Sequence, residues 1–176
     1  MATATQQLQG TYVLDPVHSS ASFAVKHMVV STFRGRFEKF DATLTDGKLV
    51  GTVDVGSIVV KDENLAAHLQ SPEFFDAERH PELRFESTDI RRTEGDEIVV
   101  DGELTIKGIT KPVEARGTLE GPAVTFGDVN KVGLTLEAII DRTEFGLNWN
   151  APLPKGGFAL ANDVKLIVEL ELAEQA

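Results

Sequence analysis

Apolar and polar side chains alternate along Val164-Lys165-Leu166-Ile167-Val168-Glu169-Leu170-Glu171-Leu172. Every second position is Val or Leu, and three of the four positions between them are charged. Successive side chains of a β-strand point to opposite faces of the sheet. This period therefore predicts a strand with one buried face and one polar face.

The same period recurs along most of the chain. Further alternating runs cover residues 21–27, 37–44, 83–87, 98–106, 113–119 and 132–140. Turn-forming residues separate the runs, at Asp46-Gly47, Glu94-Gly95-Asp96, Lys107-Gly108, Gly121-Pro122 and Lys155-Gly156-Gly157. Such turns are typical of hairpin connections. The pattern predicts about eight antiparallel strands.

One segment has the pattern of an α-helix. Residues 62–69 begin with Asp62-Glu63, place Leu65, Ala66 and Leu69 on one side, and are followed by Ser71-Pro72. Acidic residues favour a helix N-terminus, and proline favours its end. One short helix cannot cover a sheet of this size. The sheet must therefore cover itself, as a sandwich or as a closed barrel.

Long, evenly spaced, hairpin-linked strands favour closure over a sandwich. We therefore predict an all-β fold, an extended eight-stranded antiparallel up-and-down barrel with one short helix. The interior of a barrel of about eight strands is just wide enough for one small ligand. Strands of about ten residues, tilted by about 45°, give a lumen about 25 Å deep, which suits a long, thin, apolar guest.

Composition limits the classes of partner. The chain has 176 residues, 41% of them hydrophobic, which predicts one compact domain over residues 10–173 after a flexible segment 1–9. Its 28 acidic and 17 basic residues give a net charge of -11, which argues against nucleic acid and against a membrane surface as partners. The absence of cysteine excludes disulfides and thiolate metal sites.

The first residues, Met1 to Leu8, have neither a charged nor an apolar region typical of a secretory signal. No run approaches the roughly 18 apolar residues of a membrane-spanning helix. We therefore expect a cytoplasmic protein without stable membrane insertion.

Five segments resemble those of YceI-like proteins and follow the family's order over about residues 10–173. They are Asp15 to His27 with Ser31 and Gly35-Arg36-Phe37, Leu69 to Asp76 with Pro81 and Phe85-Glu86-Ser87, Gly102 to Val113, Asp141 to Leu147, and Asp163 to Leu166. The resemblance implies a lipocalin-like barrel, usually a homodimer, that holds a polyisoprenoid chain in its lumen. It implies isoprenoid quinones and polyprenyl phosphates as ligands. Two features depart from the family: the N-terminus lacks the signal peptide of many members, and residues 121–130 are shorter and less regular.

The spacing of the four histidines does not indicate a metal site, because none follows the i, i+4 pattern of a helical zinc motif. His27 continues the face of Phe23 and Val25. One interpretation is a histidine at a strand end whose ring nitrogens find hydrogen-bond partners within the protein. The other is a lumen residue that donates to a quinone carbonyl or a phosphate oxygen.

Two further features have alternative interpretations. Asp141 and Arg142 form either a structural ion pair at a strand end or, through Arg142, an anchor for the ligand headgroup. Phe74 and Phe75 follow the helix in an otherwise polar loop, where they either plug one end of the barrel or gate it.

The chain contains no nucleophile elbow, no Walker loop and no dinucleotide fingerprint. We predict a non-enzymatic protein without cofactor that binds and carries or stores an isoprenoid lipid. The alternatives are an enzyme that acts on a small apolar or lipid substrate, with His27 or a buried carboxylate as base, and a solidly packed, stress-related interaction barrel. The candidate ligand-binding residues are Phe23, Val25, His27, Phe37, Phe74, Phe75, Phe85, Leu104, Ile106, Arg142, Phe145 and Trp149.

Overall fold

The computed structural model describes residues 8–175, which form eleven β-strands and one α-helix. The first six strands are β1 (Thr11–Leu14), β2 (Ser20–His27), β3 (Ser31–Phe37), β4 (Phe40–Thr45), β5 (Lys48–Asp54) and β6 (Ile58–Val59). Helix α1 (Glu63–Gln70) separates them from β7 (Glu82–Arg92), β8 (Glu97–Ile106), β9 (Ile109–Val124), β10 (Asn130–Asp141) and β11 (Leu160–Glu174). Short 3-10 turns lie at Pro16–His18, Val55–Ser57, Phe126–Asp128 and Arg142–Phe145.

The strands close into one antiparallel barrel. Their order is β1-β4-β5-β7-β8-β9-β10-β11, and pairing of β1 with β11 completes the ring. Strands β2, β3 and β6 extend β1, β4 and β5, because β2 pairs with β11 and β3, and β3 pairs with β6. The eleven segments therefore form eight long strands, three of them interrupted. The predicted eight-stranded up-and-down barrel with one helix is confirmed.

The three interruptions follow from local hydrogen bonding. The Asp15 carboxylate accepts from the backbone N–H of Val17, and the Asp54 carboxylate accepts from that of Gly56. Both bonds favour a short turn over a continued ladder. Between β3 and β4, the Lys39 N–H donates to Ser57 Oγ at 3.0 Å, so two of the interruptions lie side by side and support each other.

Helix α1 begins and ends close to where its sequence predicts. The Asp62 side chain caps it by accepting from the Leu65 N–H at 3.0 Å, and Ser71 follows its last residue. The helix and the following loop 71–81 lie at one end of the barrel, which we call the helix end. The opposite end, with the β4–β5, β7–β8 and β9–β10 turns, is the closed end.

Apolar side chains fill the closed end. Leu44, Ile98, Leu119, Val132 and Leu172 are almost completely buried there. Leu8 packs into the same cluster. Residues 1–7 of the segment 1–9, which was predicted to be flexible, lie outside the described residues. At the helix end a second cluster, built around phenylalanines, surrounds empty space.

One part of the barrel wall is not closed by hydrogen bonds. Strands β9 and β10 pair only as far as Arg116 and Glu137 and then separate towards the helix end. Beyond that point β9 continues alongside β8, and β10 continues alongside β11. The separation leaves an outer cleft of about 580 Å³ whose lining includes Val113, Glu137, Ala138 and Ile140.

Candidate functional site

A cavity of about 420 Å³ lies beneath α1 at the helix end. Its wall is mostly aromatic and aliphatic, and its polar contributions come from His27, Ser31, Thr32, His68 and Arg142. Among the described residues, those that line it include no aspartate or glutamate. A few polar groups in an apolar wall are typical of a binding pocket for a largely apolar molecule.

A smaller chamber of about 150 Å³ continues the cavity towards the closed end. The two spaces share Phe37, Leu83 and Leu166, which form the narrowing between them. Small residues leave the smaller chamber open, namely Ala21, Ala42, Gly51, Ala115 and Ala138. The lumen is thus hollow at the helix end, narrow in the middle and filled at the closed end.

The structure brings the predicted site residues together. Nine of them line the larger cavity: Phe23, Val25, His27, Phe37, Phe74, Phe75, Ile106, Arg142 and Trp149. Phe85 and Leu104 line the smaller chamber. Phe145 is buried in the cluster around the larger cavity and also borders the outer cleft.

Aromatic rings pack against one another around the cavity. Phe23 lies 5.8 Å from Phe37 between ring centroids, and Phe37 lies 6.1 Å from Phe75. Phe74 lies 5.5 Å from Trp149. Phe74 is buried and Phe75 half-buried, and both face the cavity beneath α1, so the pair belongs to the roof of the lumen.

A lysine in a tight turn holds this roof together. The Lys107 ammonium donates to the Pro72 carbonyl at 2.7 Å and to the Gly146 carbonyl at 3.2 Å. It therefore ties the loop after α1 to the segment after β10. Both segments contribute aromatic side chains to the cavity, so Lys107 fixes their relative position.

Arg142 is the most unusual polar residue of the cavity, because only 4% of it is exposed. Its Nε donates to the Ala161 carbonyl at 2.8 Å, and Nη1 donates to the carbonyls of Leu147 and Trp149 at 2.6 and 2.9 Å. Its Nη2 is buried and has no hydrogen-bond partner. A buried donor without a partner is unfavourable and indicates a place for an acceptor.

Asp141 does not neutralise this guanidinium by direct contact. Its Oδ1 accepts from the backbone N–H and the hydroxyl of Thr143, which lowers the pKa of the Asp141 carboxyl. Burial lowers the pKa of Arg142, and the charge of Asp141 partly opposes this effect. Of the ion pairs among residues 8–175, none joins Asp141 to Arg142. The structure therefore does not contain the ion pair that was one interpretation of this dipeptide.

His68 is a cavity residue that the sequence analysis did not select. Its ring lies 4.9 Å from that of Phe74 and 5.0 Å from that of Trp149, and its Nε2 is 2.6 Å from Glu73 Oε2. Leu65, His68 and Leu69 are spaced i, i+3, i+4, which places them on one face of α1. That spacing was the signal available in the sequence.

A separate polar cluster lies outside the cavity, where Asp15, His18 and Glu171 bring ligand-type atoms within 4.8 Å of one another. His18 Nδ1 is 2.9 Å from Asp15 Oδ2, and the Lys131 ammonium is 3.1 Å from Glu171 Oε2. The hydrogen bond to Asp15 raises the pKa of His18, and the same contact lowers the pKa of Asp15. Lys131 pairs with Glu171 and the His18 ring bonds Asp15, so the cluster is a polar network that joins the 3-10 turn Pro16–His18 to β10 and β11.

Comparison with known proteins agrees with this architecture. The family model described as YceI-like domain matches residues 12–172. A UPF0312 protein of Staphylococcus aureus strain N315 is 32% identical over 174 residues, which is 92% of this chain and 96% of the relative. Within the described residues, no helix is long and apolar enough to cross a membrane.

Solved structures share the fold at lower sequence identity. Burkholderia cenocepacia BcnA has a TM-score of 0.77 at 24% identity, covering 90% of this chain and 98% of its own. The Campylobacter jejuni YCEI protein has a TM-score of 0.72 at 24% identity, covering 86% and 90%. A polyisoprenoid-binding domain from Saccharophagus degradans has a TM-score of 0.70 at 12% identity, covering 93% and 98%. With the family match spanning nearly the whole barrel, the chain belongs to the YceI-like family.

Proposed function

We propose that this barrel binds a polyisoprenoid lipid, with the tail in the lumen and the headgroup at Arg142, and carries or stores it chemically unchanged. The single observation that supports this most is the buried, unpartnered Nη2 of Arg142, a residue that lines a mostly apolar cavity. A phosphate or quinone oxygen would accept its hydrogen bond, and both headgroups share that chemistry.

The energetics of such binding are sufficient. Each buried methylene group contributes roughly 0.8 kcal/mol, and nanomolar binding needs about 12 kcal/mol. A five-carbon isoprene unit then contributes about 4 kcal/mol, so about five units reach that value after roughly 8 kcal/mol is subtracted for association and for ordering of the chain. Family membership and the fold shared with a polyisoprenoid-binding domain support the same class of ligand.

The larger cavity is lined by no carboxylate among the described residues, and the carboxylates nearest to the lumen are Asp41 and Glu137 in the smaller chamber and Glu73 against His68. An enzymatic role for His27 would require a ligand that returns chemically altered. We therefore expect the bound lipid to be recovered with its mass unchanged after prolonged incubation with the protein.

The test is to extract purified protein with organic solvent and to identify lipids by mass spectrometry. Binding is then titrated with a polyprenyl phosphate, an isoprenoid quinone and squalene, which lacks a headgroup, using Trp149 fluorescence, since the single tryptophan lines the cavity. We expect saturable binding of at least one headgroup-bearing lipid, tighter than that of squalene. Failure of every prenyl lipid to bind would overturn the proposal.

Two finer expectations accompany this proposal. Family resemblance favours a homodimer, which light scattering of the purified protein tests. The expected cytoplasmic location remains a prediction, and fractionation of cells that express the natural gene tests it.

A further inference from the structure

Four large apolar side chains are exposed side by side at the helix end. Met28, Val29 and Val30, at the tip of the β2–β3 hairpin, are 43%, 65% and 84% exposed, and Phe158 is 58% exposed. The Met28 N–H donates to the Ala159 carbonyl at 2.8 Å, which joins the hairpin tip to the loop that carries Phe158. We call these four residues the mouth rim.

The mouth rim is continuous with the cavity. Met28 lines the cavity and is also exposed, and its neighbours His27 and Ser31 line the cavity too. Ala159, next to Phe158, lies in the cavity wall as well. An apolar molecule that leaves the lumen here contacts apolar side chains until it is outside the protein.

Two apolar residues of the hairpin tip have a backbone conformation that is unfavourable for their side chains. Met28 and Val29 have φ values of +52° and +68°, a left-handed conformation that favours glycine and asparagine. A β-branched residue such as Val29 is especially unfavourable there. An exposed valine in this conformation contributes little to the fold, so strain at this tip points to a role for its side chain.

Charge around the mouth rim differs from that of the whole protein. Residues 26–34 and 145–162, which include and flank the mouth rim, contain no aspartate or glutamate, and their lysines and arginines are Lys26, Arg34 and Lys155. This region is locally basic in a chain of net charge -11. Helix α1 and its flanks, which lie at the same end of the barrel, carry Asp62, Glu63 and Glu73 together with Lys61.

We propose that the mouth rim docks on the surface of a phospholipid bilayer that contains anionic lipid, and that the cavity exchanges its ligand with the bilayer there. Exposed apolar side chains flanked by basic residues are typical of interfacial membrane contact. The negative charge elsewhere on the molecule repels the same surface, so it orients the rim towards the membrane and keeps the contact transient. This inference rests on the proposed function, because a bilayer is the source of a lipid too apolar to cross water.

The test compares the wild-type protein with the double variant Val29→Asn/Phe158→Ser. Asparagine accepts a left-handed backbone, so Val29→Asn alone raises the melting temperature by about 2–4 °C. Phe126→Ser is the matched control, because Phe126 is fully exposed at the closed end. Vesicles of phosphatidylcholine with about one quarter phosphatidylglycerol carry a polyprenyl phosphate as the probe.

We expect the wild type and Phe126→Ser to sediment with these vesicles and to take up the probe at equal rates. We expect the double variant to lose binding at least about fivefold and to slow uptake by about tenfold, since it loses two apolar contacts with the interface. Its uptake of the same probe added from ethanol, without vesicles, stays at the wild-type value.

Wild-type uptake rates in the double variant, or no vesicle binding by the wild type, would overturn the docking proposal while leaving the proposed function intact. A change in oligomeric state of the double variant, with vesicle uptake unaltered, would also overturn it and assign the mouth rim to a second copy of the chain. If no protein takes up the probe from ethanol, the proposed function itself is wrong.

Discussion

At the scale of single residues, Arg142 combines two tasks. Three of its hydrogen bonds go to the carbonyls of Leu147, Trp149 and Ala161, which position the segment between β10 and β11. The remaining Nη2 is buried without a hydrogen-bond partner, and we propose that it donates to the headgroup of a ligand. A guanidinium can do both because its donors form a rigid, planar fork, whereas an ammonium is a single point charge.

We therefore predict that Arg142→Lys separates headgroup binding from tail binding. The affinity for a polyprenyl phosphate falls by about 10- to 100-fold, and the affinity for squalene changes less than about twofold. The protein also loses roughly 2 kcal/mol of stability, because buried carbonyls lose their donor. Titration by Trp149 fluorescence and denaturation with urea measure the two effects. An equal loss for squalene and phosphate would contradict a headgroup role.

His18 gives a prediction for pH dependence. The Asp15 carboxylate raises the pKa of His18, so the folded state binds a proton more tightly than the unfolded state does. Its contribution to stability is present in full below the unfolded pKa of about 6.5 and is lost as pH rises through the higher folded value.

We expect the melting temperature of the wild type to exceed that of His18→Gln by more at pH 6 than at pH 8. Thermal unfolding at several pH values measures both melting temperatures. If the difference in melting temperature between the wild type and His18→Gln does not change with pH, protonation of His18 beside Asp15 is not linked to folding.

At the scale of elements, glycines decide where strands and rings approach closely. A Cβ on Gly35 would lie 2.5 Å from the ring of Phe23, and one on Gly102 would lie 2.4 Å from the ring of Phe85. Each glycine thus makes room for a phenylalanine on a neighbouring strand. Gly117 differs, since a Cβ there would lie 1.7 Å from the backbone oxygen of Thr135, near the point where β9 and β10 separate.

Gly117→Ala is therefore expected to destabilise the barrel by about 3 kcal/mol, because backbone cannot move aside as a side chain can. Gly133→Ala is the matched control on the facing strand, where a Cβ meets nothing within 4 Å. Its effect stays within about 0.5 kcal/mol. Urea denaturation measures the free energy of unfolding of both variants. Equal losses would mean that the close approach of the Thr135 backbone does not require glycine at position 117.

At the scale of the whole molecule, the division of the lumen sets the length of ligand that fits. The larger cavity lies at the helix end, the smaller chamber lies beyond the narrowing at Phe37, Leu83 and Leu166, and the closed end is filled. Under the proposed function, a tail that enters at the mouth rim extends as far as the small residues of the smaller chamber leave space. We therefore predict that the volume of the smaller chamber limits the length of the prenyl chain that binds.

Ala115→Val fills part of the smaller chamber without changing the larger cavity. We expect stability to be unchanged or to rise by up to about 1 kcal/mol, while the preferred prenyl chain becomes shorter. Ala123→Val, an exposed position on the same strand, is the control and alters neither property. Competition among prenyl phosphates of different length measures the preference. An unchanged length preference would show that ligands do not reach this chamber.

Local sequence was sufficient for much of this fold. Alternation predicts the strands, and Asp62 with Ser71-Pro72 marks the helix. The run over residues 37–44 was predicted as continuous, but the structure interrupts it between β3 and β4, where buried positions change from odd at Phe37 to even at Ala42 and Leu44. Alternation indicates which residues of a strand share a face, but it does not say whether that face points to the lumen, and the structure supplies this.

The sequence by itself determined that the chain forms a self-covering sheet with one helix, because these features depend on neighbours two to four positions apart. Only the tertiary structure decided where the lumen is hollow, which Arg142 donor lacks a partner, and which loops meet to form the mouth rim. The empty volume is the volume that the closed barrel encloses minus the volume of the side chains that point into it from all eight strands. That difference depends on contacts far apart in sequence, so no local pattern contains it.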